Sequence, residues 1–415
     1  MRDTTSPDTL AGTLAARLAV PAAAPHRLLF LGGAIAVLLS MTWWTAELAA
    51  GRLGWRLPQP TIPPGWAHAM LAQYGMLPFF IFGFLLTVFP RWLGQPALPR
   101  RRYLGVFGLQ MGGYLLAHAG LLGRPHLLQA GFTLMLAAAA LVWLTLAGVL
   151  RRSGRRDRHA LSSLLALGGE CFGLAAFDAY LVGASPWWAL LAIQAGTFGY
   201  LLPVYLTVCH RMIPFFSANV VAGYRVVRPD WTLLLLWPLL LAHLMLAFAH
   251  AFAWLWLADL PLAVLLGALA LAWQPWKAMR PGLLAALHIA FAWAPVAFVL
   301  YTLQSVVLLA GGSFLLGRAP LHALAIGFFG SMLLAMVTRV TQGHSGRPLR
   351  MGAVAWFGFA VLQGVAVARI VAAVSTDHHS SWLLLAVSGW LLAFLPWVLR
   401  SAWIYLTPRV DGCEG

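Results

Sequence analysis

Apolar runs of about twenty residues recur along the chain, separated by short polar or Gly- and Pro-rich breaks. About twenty predominantly apolar residues let a helix cross the hydrocarbon of a bilayer. Such runs lie at roughly 27–50, 66–89, 103–122, 127–150, 160–182, 187–209, 231–250, 252–273, 283–305, 320–341, 351–374 and 381–406. A membrane β-barrel would instead show short segments of alternating polarity. The pattern predicts an all-α polytopic integral membrane protein of about twelve transmembrane helices. Residues 1–25 read as a short N-terminal tail, 26–408 as the transmembrane domain and 409–415 as a C-terminal tail. The first tail lacks an n-region, h-region and cleavage site separate from the first span, so no signal-peptide removal is expected.

Composition supports this. The 415 residues are 61% hydrophobic and 9% charged, whereas soluble domains hold roughly 25% charged residues. Charge placement fixes the topology. Of 27 Lys and Arg residues, 22 fall in the tails and on one side of the predicted spans, with both termini. Four (Arg52, Arg56, Arg124 and Arg318) fall on the opposite side, and Arg369 lies inside the eleventh span. The positive-inside rule puts the arginine-rich side in the cytoplasm. The net charge of +16 is then a topology signal with some attraction to anionic membrane lipid, and implies no nucleic acid. Three cysteines make neither a disulfide framework nor a CxxC metal pattern.

The longest predicted loop, 210–230, divides the spans six and six, and the two halves show no matching motif. Pro78, Pro203, Pro238 and Pro295 fall inside spans, where each removes a backbone hydrogen bond and can kink its helix. Tryptophans near span ends read as an interfacial belt, with a few available to line a flat cofactor.

Histidine carries most of the candidate chemistry, because neutral imidazole ligates haem iron and copper. On the predicted topology His68 and His322 open spans at the outer face. His210, His288 and His344 lie near the inner face and are expected to form a second site. His26 and His159 read as cytoplasmic. His322 and His344 bracket one span, about 33 Å apart if helical, so they cannot share a metal. The plain alternative for any one of these histidines is a hydrogen bond between helices. Arg339 and Arg347 can hold haem propionates or another anion, or simply follow the charge bias. GHSGRP at 343–348 reads as an ordered inner-face turn. Gly327 and Ser331 allow close approach of a helix or a flat ring, and Met332 and Met336 read as packing. Glu170, near mid-span, is the candidate proton- or ion-handling group, a structural hydrogen bond being the alternative.

HALAIGFFGSMLLAMVTRVTQGHSGRPL, from His322, strongly resembles the signature of the NnrS family. HRMIPFF at 210–216 and ALHIAFAW at 286–293 resemble its inner loop and its ninth-span histidine segment. WAHAMLAQYG at 66–75 stands where the family usually has His-Ala-His-Glu-Met, with Trp66 and Ala69 replacing the first histidine and the glutamate. The resemblance implies a multi-pass protein of the bacterial inner (cytoplasmic) membrane. It implies haem, expected as haem b, and copper, with a role in the nitric oxide response or protection from nitrosative stress. His68, His322, His210, His288, Arg339 and Arg347 are then the expected cofactor-binding residues, and His68, His322, His288 and His344 the expected metal ligands. The loss of two polar residues at 66 and 69 puts the copper in question. Haem-copper oxidase core subunits also have twelve spans, but they need a His-His pair inside a helix. The only such pair here, His378–His379, lies in a predicted loop, so that family is rejected. The competing reading is a small-solute transporter or channel without a prosthetic group, with the proline breaks and Glu170 lining a path. The sequence holds no soluble domain to accept electrons, so redox turnover would need a partner protein.

Overall fold

The computed structural model describes residues 20–280 and 282–412. The expectations for residues 1–19, including Arg2 and Arg17, and for Cys413 lie outside the described residues. Twelve long helices appear where the apolar runs placed them. They are α1 (Pro25–Leu53), α2 (Pro64–Trp92), α3 (Arg100–Gly120), α4 (Pro125–Ser153), α5 (Arg158–Leu181), α6 (Pro186–Ala218), α7 (Asp230–Phe248), α8 (Phe252–Ala272), α9 (Gly282–Leu309), α10 (Ala319–His344), α11 (Ala353–Val374) and α12 (His379–Leu406). Among the described residues 11 helices are long and apolar enough to cross a membrane, α3 being the exception. Its 21 residues would still span about 30 Å, but Arg100, Arg101, Arg102, Gln110 and His118 dilute its apolarity.

α6 continues to Ala218, so HRMIPFF lies on a helix and the connection that separates six helices from six shrinks to 219–229. In packing the helices form three successive groups of four, closed into a ring: α4 packs on α5, α8 on α9, and α12 on α1. The second helix of each group (α2, α6 and α10) is the most buried and carries a π-helical stretch: Leu71–Met76, Ala195–Leu201 and Ala323–Gly330. Each stretch packs against the preceding and following helix of its own group: α1 and α3, α5 and α7, α9 and α11. A repeat of four spans, expressed in geometry rather than motif, is why comparing two halves found nothing.

Two in-span prolines explain two of the wide turns. Pro78 and Pro203 stand in the first turn after their π stretches. Proline cannot donate to the carbonyl four residues back, and its ring crowds that carbonyl. In lipid the freed carbonyl still needs a partner. Tyr74 O, four residues before Pro78, accepts from Gln110 Nε2 of α3 at 2.8 Å, and Gly75 O accepts at 3.2 Å. Gly199 O, four residues before Pro203, lies against Gly169 of α5 so closely that a Cβ there would sit 2.3 Å away. Arg27 closes the ring. Its buried guanidinium donates to Ile404 O at 3.3 Å, Tyr405 O at 3.1 Å and Thr407 O, capping the carbonyl end of α12.

Replacing Gln110 by Leu orphans the Tyr74 carbonyl, and should cost about 1–3 kcal/mol. A lowered thermal midpoint in detergent checks this.

Candidate functional site

On the arginine-poor side, α1, α2, α10 and α11 bring five residues together. His68 lies three residues before the α2 π stretch and His322 immediately before that of α10. The Trp44 indole stacks on the His68 ring, centroids 4.5 Å apart and planes 9° apart. His322 Nδ1 lies 2.9 Å from Arg318 O. That carbonyl can only accept, so Nδ1 carries the proton and Nε2 keeps its lone pair free. A ligating histidine is normally oriented in this way. The guanidiniums of Arg318 and Arg369 act electrostatically on both imidazoles. Arg369 Nη1 is buried without a hydrogen-bond partner. The cluster thus offers imidazole nitrogen, an aromatic plane and unspent positive charge at one depth.

The arginine-rich side differs from expectation. His210, His288 and His344 take three separate partners. His344 packs on His26, centroids 4.4 Å apart, and His26 Nδ1 lies 3.4 Å from Thr87 Oγ1. His210 Nδ1 lies 2.9 Å from His159 Nε2, and its Nε2 lies 2.8 Å from Thr232 Oγ1. Both nitrogens are engaged, so His210 offers no free ligand atom here. His288 Nε2 faces Ser217 Oγ at 3.5 Å. These are polar contacts between helices, the plain alternative for membrane histidines. His26 and His159, expected on this side, are buried in the first turns of α1 and α5. Arg339 lays its guanidinium over Phe216, 3.9 Å from the ring centroid. Arg347 Nη1 is buried without a hydrogen-bond partner. The 343–348 turn is ordered as expected: Gln342 donates to Arg350 O at 2.8 Å and accepts from its N–H at 3.0 Å, although His344 still belongs to α10.

Asp157 organises the same side. It caps α5 by accepting from Ala160 N–H at 2.9 Å and pairs with Arg211 at 2.8 Å. Burial pushes its carboxyl up, but the Ala160 bond and Arg211 together hold it below the usual carboxylate range. Among the described residues no group of three or more His, Cys, Asp or Glu side chains converges as a metal site.

At the centre, α1, α2, α6 and α10 enclose an apolar cavity of about 60 Å³. Phe30, Phe80, Tyr205, Cys209, Leu333 and Met336 are among its lining residues. Met332 also lines it, as packing rather than as a ligand. The flat ring that Gly327 admits is the protein's own: a Cβ there would lie 2.4 Å from the Trp293 indole. That indole donates to Gln363, which donates to Ser331. Glu170 is buried between α2, α5 and α6, with both carboxyl oxygens lacking a partner.

A family model described as NnrS protein matches residues 21–409, nearly the whole chain. The chain belongs to the NnrS family. None of the curated proteins compared matches it. Within this NnrS chain the departure at Trp66 has a packing role: its indole meets Tyr180 of α5 edge-on at 5.6 Å. A hydrophobic brace thus stands where the family run has an imidazole. Sequence reasoning missed Trp44, Arg318 and Arg369 as neighbours of His68 and His322. Arg369 did carry a signal, as the one cation placed deep inside a span.

Asp157→Ala should cost about 0.5–2 kcal/mol through the lost cap. Because the native carboxyl titrates below its unfolded value, its stabilisation holds at neutral pH and fades as pH falls through the native value. Thermal midpoints of wild type and variant should therefore differ at neutral pH and converge in acid.

Proposed function

We propose that this NnrS protein binds haem on its arginine-poor side and acts on nitric oxide, either sensing it or protecting against it. The observation that carries the proposal is the convergence of His68 and His322 beside Trp44, Arg318 and Arg369. The residues fit the group. His322 Nε2 is free and oriented, and His68 supplies a second imidazole. Arg318 and Arg369 supply charge for two carboxylates, and Trp44 an aromatic face. The group would supply a redox-active iron able to bind a diatomic ligand. The chain's own part is to hold His322 in one tautomer, to steady the His68 ring by stacking, and to neutralise the carboxylates. The membrane-buried α2 and α10 also keep bulk water away.

The apolar central cavity supports the nitric oxide half of the proposal. Water needs two to four polar partners, and this lining offers almost none. A small, weakly polar diatomic molecule suits it better than an ion or a sugar. Copper would draw on the same two imidazoles, since no third His, Cys, Asp or Glu converges on them among the described residues. We read the arginine bias as putting the arginine-rich face on the cytoplasmic side, in what we propose is a bacterial inner membrane.

The test is an oxidised and reduced absorption spectrum of detergent-purified protein, with a pyridine haemochrome assay and copper analysis on the same sample. Stoichiometric haem, lost or spectrally shifted in His322→Ala and His68→Ala but kept in His210→Ala, is the expected result. A colourless wild-type protein expressed with ample haem overturns the proposal. For the cavity, xenon should shift NMR resonances of its lining methyls in wild type and not in Leu333→Trp.

A further inference from the structure

We propose that Glu170, with Tyr200, Gln73 and Tyr74 around it, is a proton-binding site at mid-membrane that carries one proton in the resting protein. This inference goes beyond the haem proposal and does not depend on it. Four buried polar atoms meet here without a hydrogen-bond partner: Glu170 Oε1 and Oε2, the Tyr200 hydroxyl and Gln73 Oε1. Glu170 is only 1% exposed. The Tyr200 hydroxyl lies beside its carboxyl, and Tyr74 stacks on Tyr200 with centroids 6.1 Å apart. The surrounding groups are fixed. Gln73 Nε2 donates to Thr197 Oγ1 at 2.8 Å, which sets the amide's orientation. The Tyr74 hydroxyl donates to Ala192 O at 2.7 Å.

The facing helices are cleared of side chains to admit these groups. A Cβ at Gly196 would lie 2.2 Å from Gln73 Oε1 and 2.8 Å from the Tyr74 oxygen. One at Gly173 would lie 1.9 Å from the Tyr74 oxygen. A seam that only had to pack would be filled with alkyl groups. This one keeps glycine and surrounds a carboxyl with oxygen atoms. Gln73 and Tyr74 stand on the π stretch of α2, and Thr197 and Tyr200 on that of α6. Such wide turns recur at functional sites.

The chemistry of the ligand follows from what is missing. Among the described residues no Lys, Arg or His forms an ion pair with Glu170. An ionised carboxylate isolated in this environment is prohibitively costly. A metal cation would need several oxygen ligands and room for itself. The packing of Gly196 on Gln73 leaves less than a methyl group's space there. A proton needs no volume. A protonated carboxyl accepts at its carbonyl oxygen from Tyr200 and donates from its hydroxyl toward Gln73 Oε1, directly or through one water. The Tyr200 hydroxyl brings its own proton to one carboxyl oxygen, and the added proton gives the other oxygen and Gln73 Oε1 a partner, so all four atoms are satisfied.

Infrared spectroscopy of the purified protein in detergent, transferred from H2O to D2O at neutral and moderately alkaline pH, tests this. The probe is the proton itself, and the readout is the C=O stretch of a protonated carboxyl. The expected result is a deuterium-sensitive band that is absent in Glu170→Gln and retained in Asp178→Asn. Tyr200→Phe, which keeps the carboxyl, should move the band to higher frequency by removing a donor from its carbonyl. A spectrum without that band, or one unchanged in both Glu170→Gln and Tyr200→Phe, overturns the proposal. The measurement needs no haem, so its failure is separate from failure of the haem proposal.

Discussion

Inside a membrane a backbone carbonyl has no water to turn to, and the centre of this protein is built around that rule. Pro78 and Pro203 each release a carbonyl: Gln110 donates to that of Tyr74, and Gly169 of α5 packs directly on that of Gly199. The backbone ahead of each proline opens into a π turn. A third such turn in α10 lies before Ser331 without a proline. These three wide turns lie on the three most buried helices and face the heart of the ring. The residues of the two candidate sites, His68, Gln73, Tyr74, Tyr200 and His322, stand on or just before them.

Unspent hydrogen-bonding capacity separates glue from site. A satisfied polar group in a helix seam stabilises packing and has nothing left for a ligand. His210 is of that kind, with both nitrogens used. His322 has one nitrogen committed and one free, and Arg369 keeps a buried donor unpaired. Among the described residues Glu170 has no cation beside it, only the Tyr200 hydroxyl, and no hydrogen bond of good geometry. The same reasoning explains why three inner histidines that share a depth do not make a site. Depth brings them level, but neighbouring helices claim them first.

The helices were legible because apolar length and arginine bias are strong, local signals. α3 was legible as a span although its arginines and glutamine lower its apolarity. The order of packing was not legible. A fourfold spacing of π turns leaves no repeated motif, only Leu-Pro at 77–78 and again at 202–203, with Ser331–Met332 in the third position. His68 and His322 were identified from residue type and depth. Their company was not, because Trp44 and Arg369 lie hundreds of residues apart and meet only when the ring closes. The burial of His26 and His159 was not legible, because each sits at a span boundary where an arginine neighbour (Arg27 or Arg158) suggests solvent. In the fold Arg27 caps α12, and Asp157 draws His159 inward beside Arg211.

The central claim, put forward as a proposal, is that His68 and His322 would hold a haem between α2 and α10. Low-temperature electron paramagnetic resonance of the oxidised protein tests it most directly. A ferric-haem signal that shifts or is lost on replacing either His68 or His322 with alanine is the result the proposal predicts. A signal that survives both replacements would contradict it and move the ligands elsewhere in the protein.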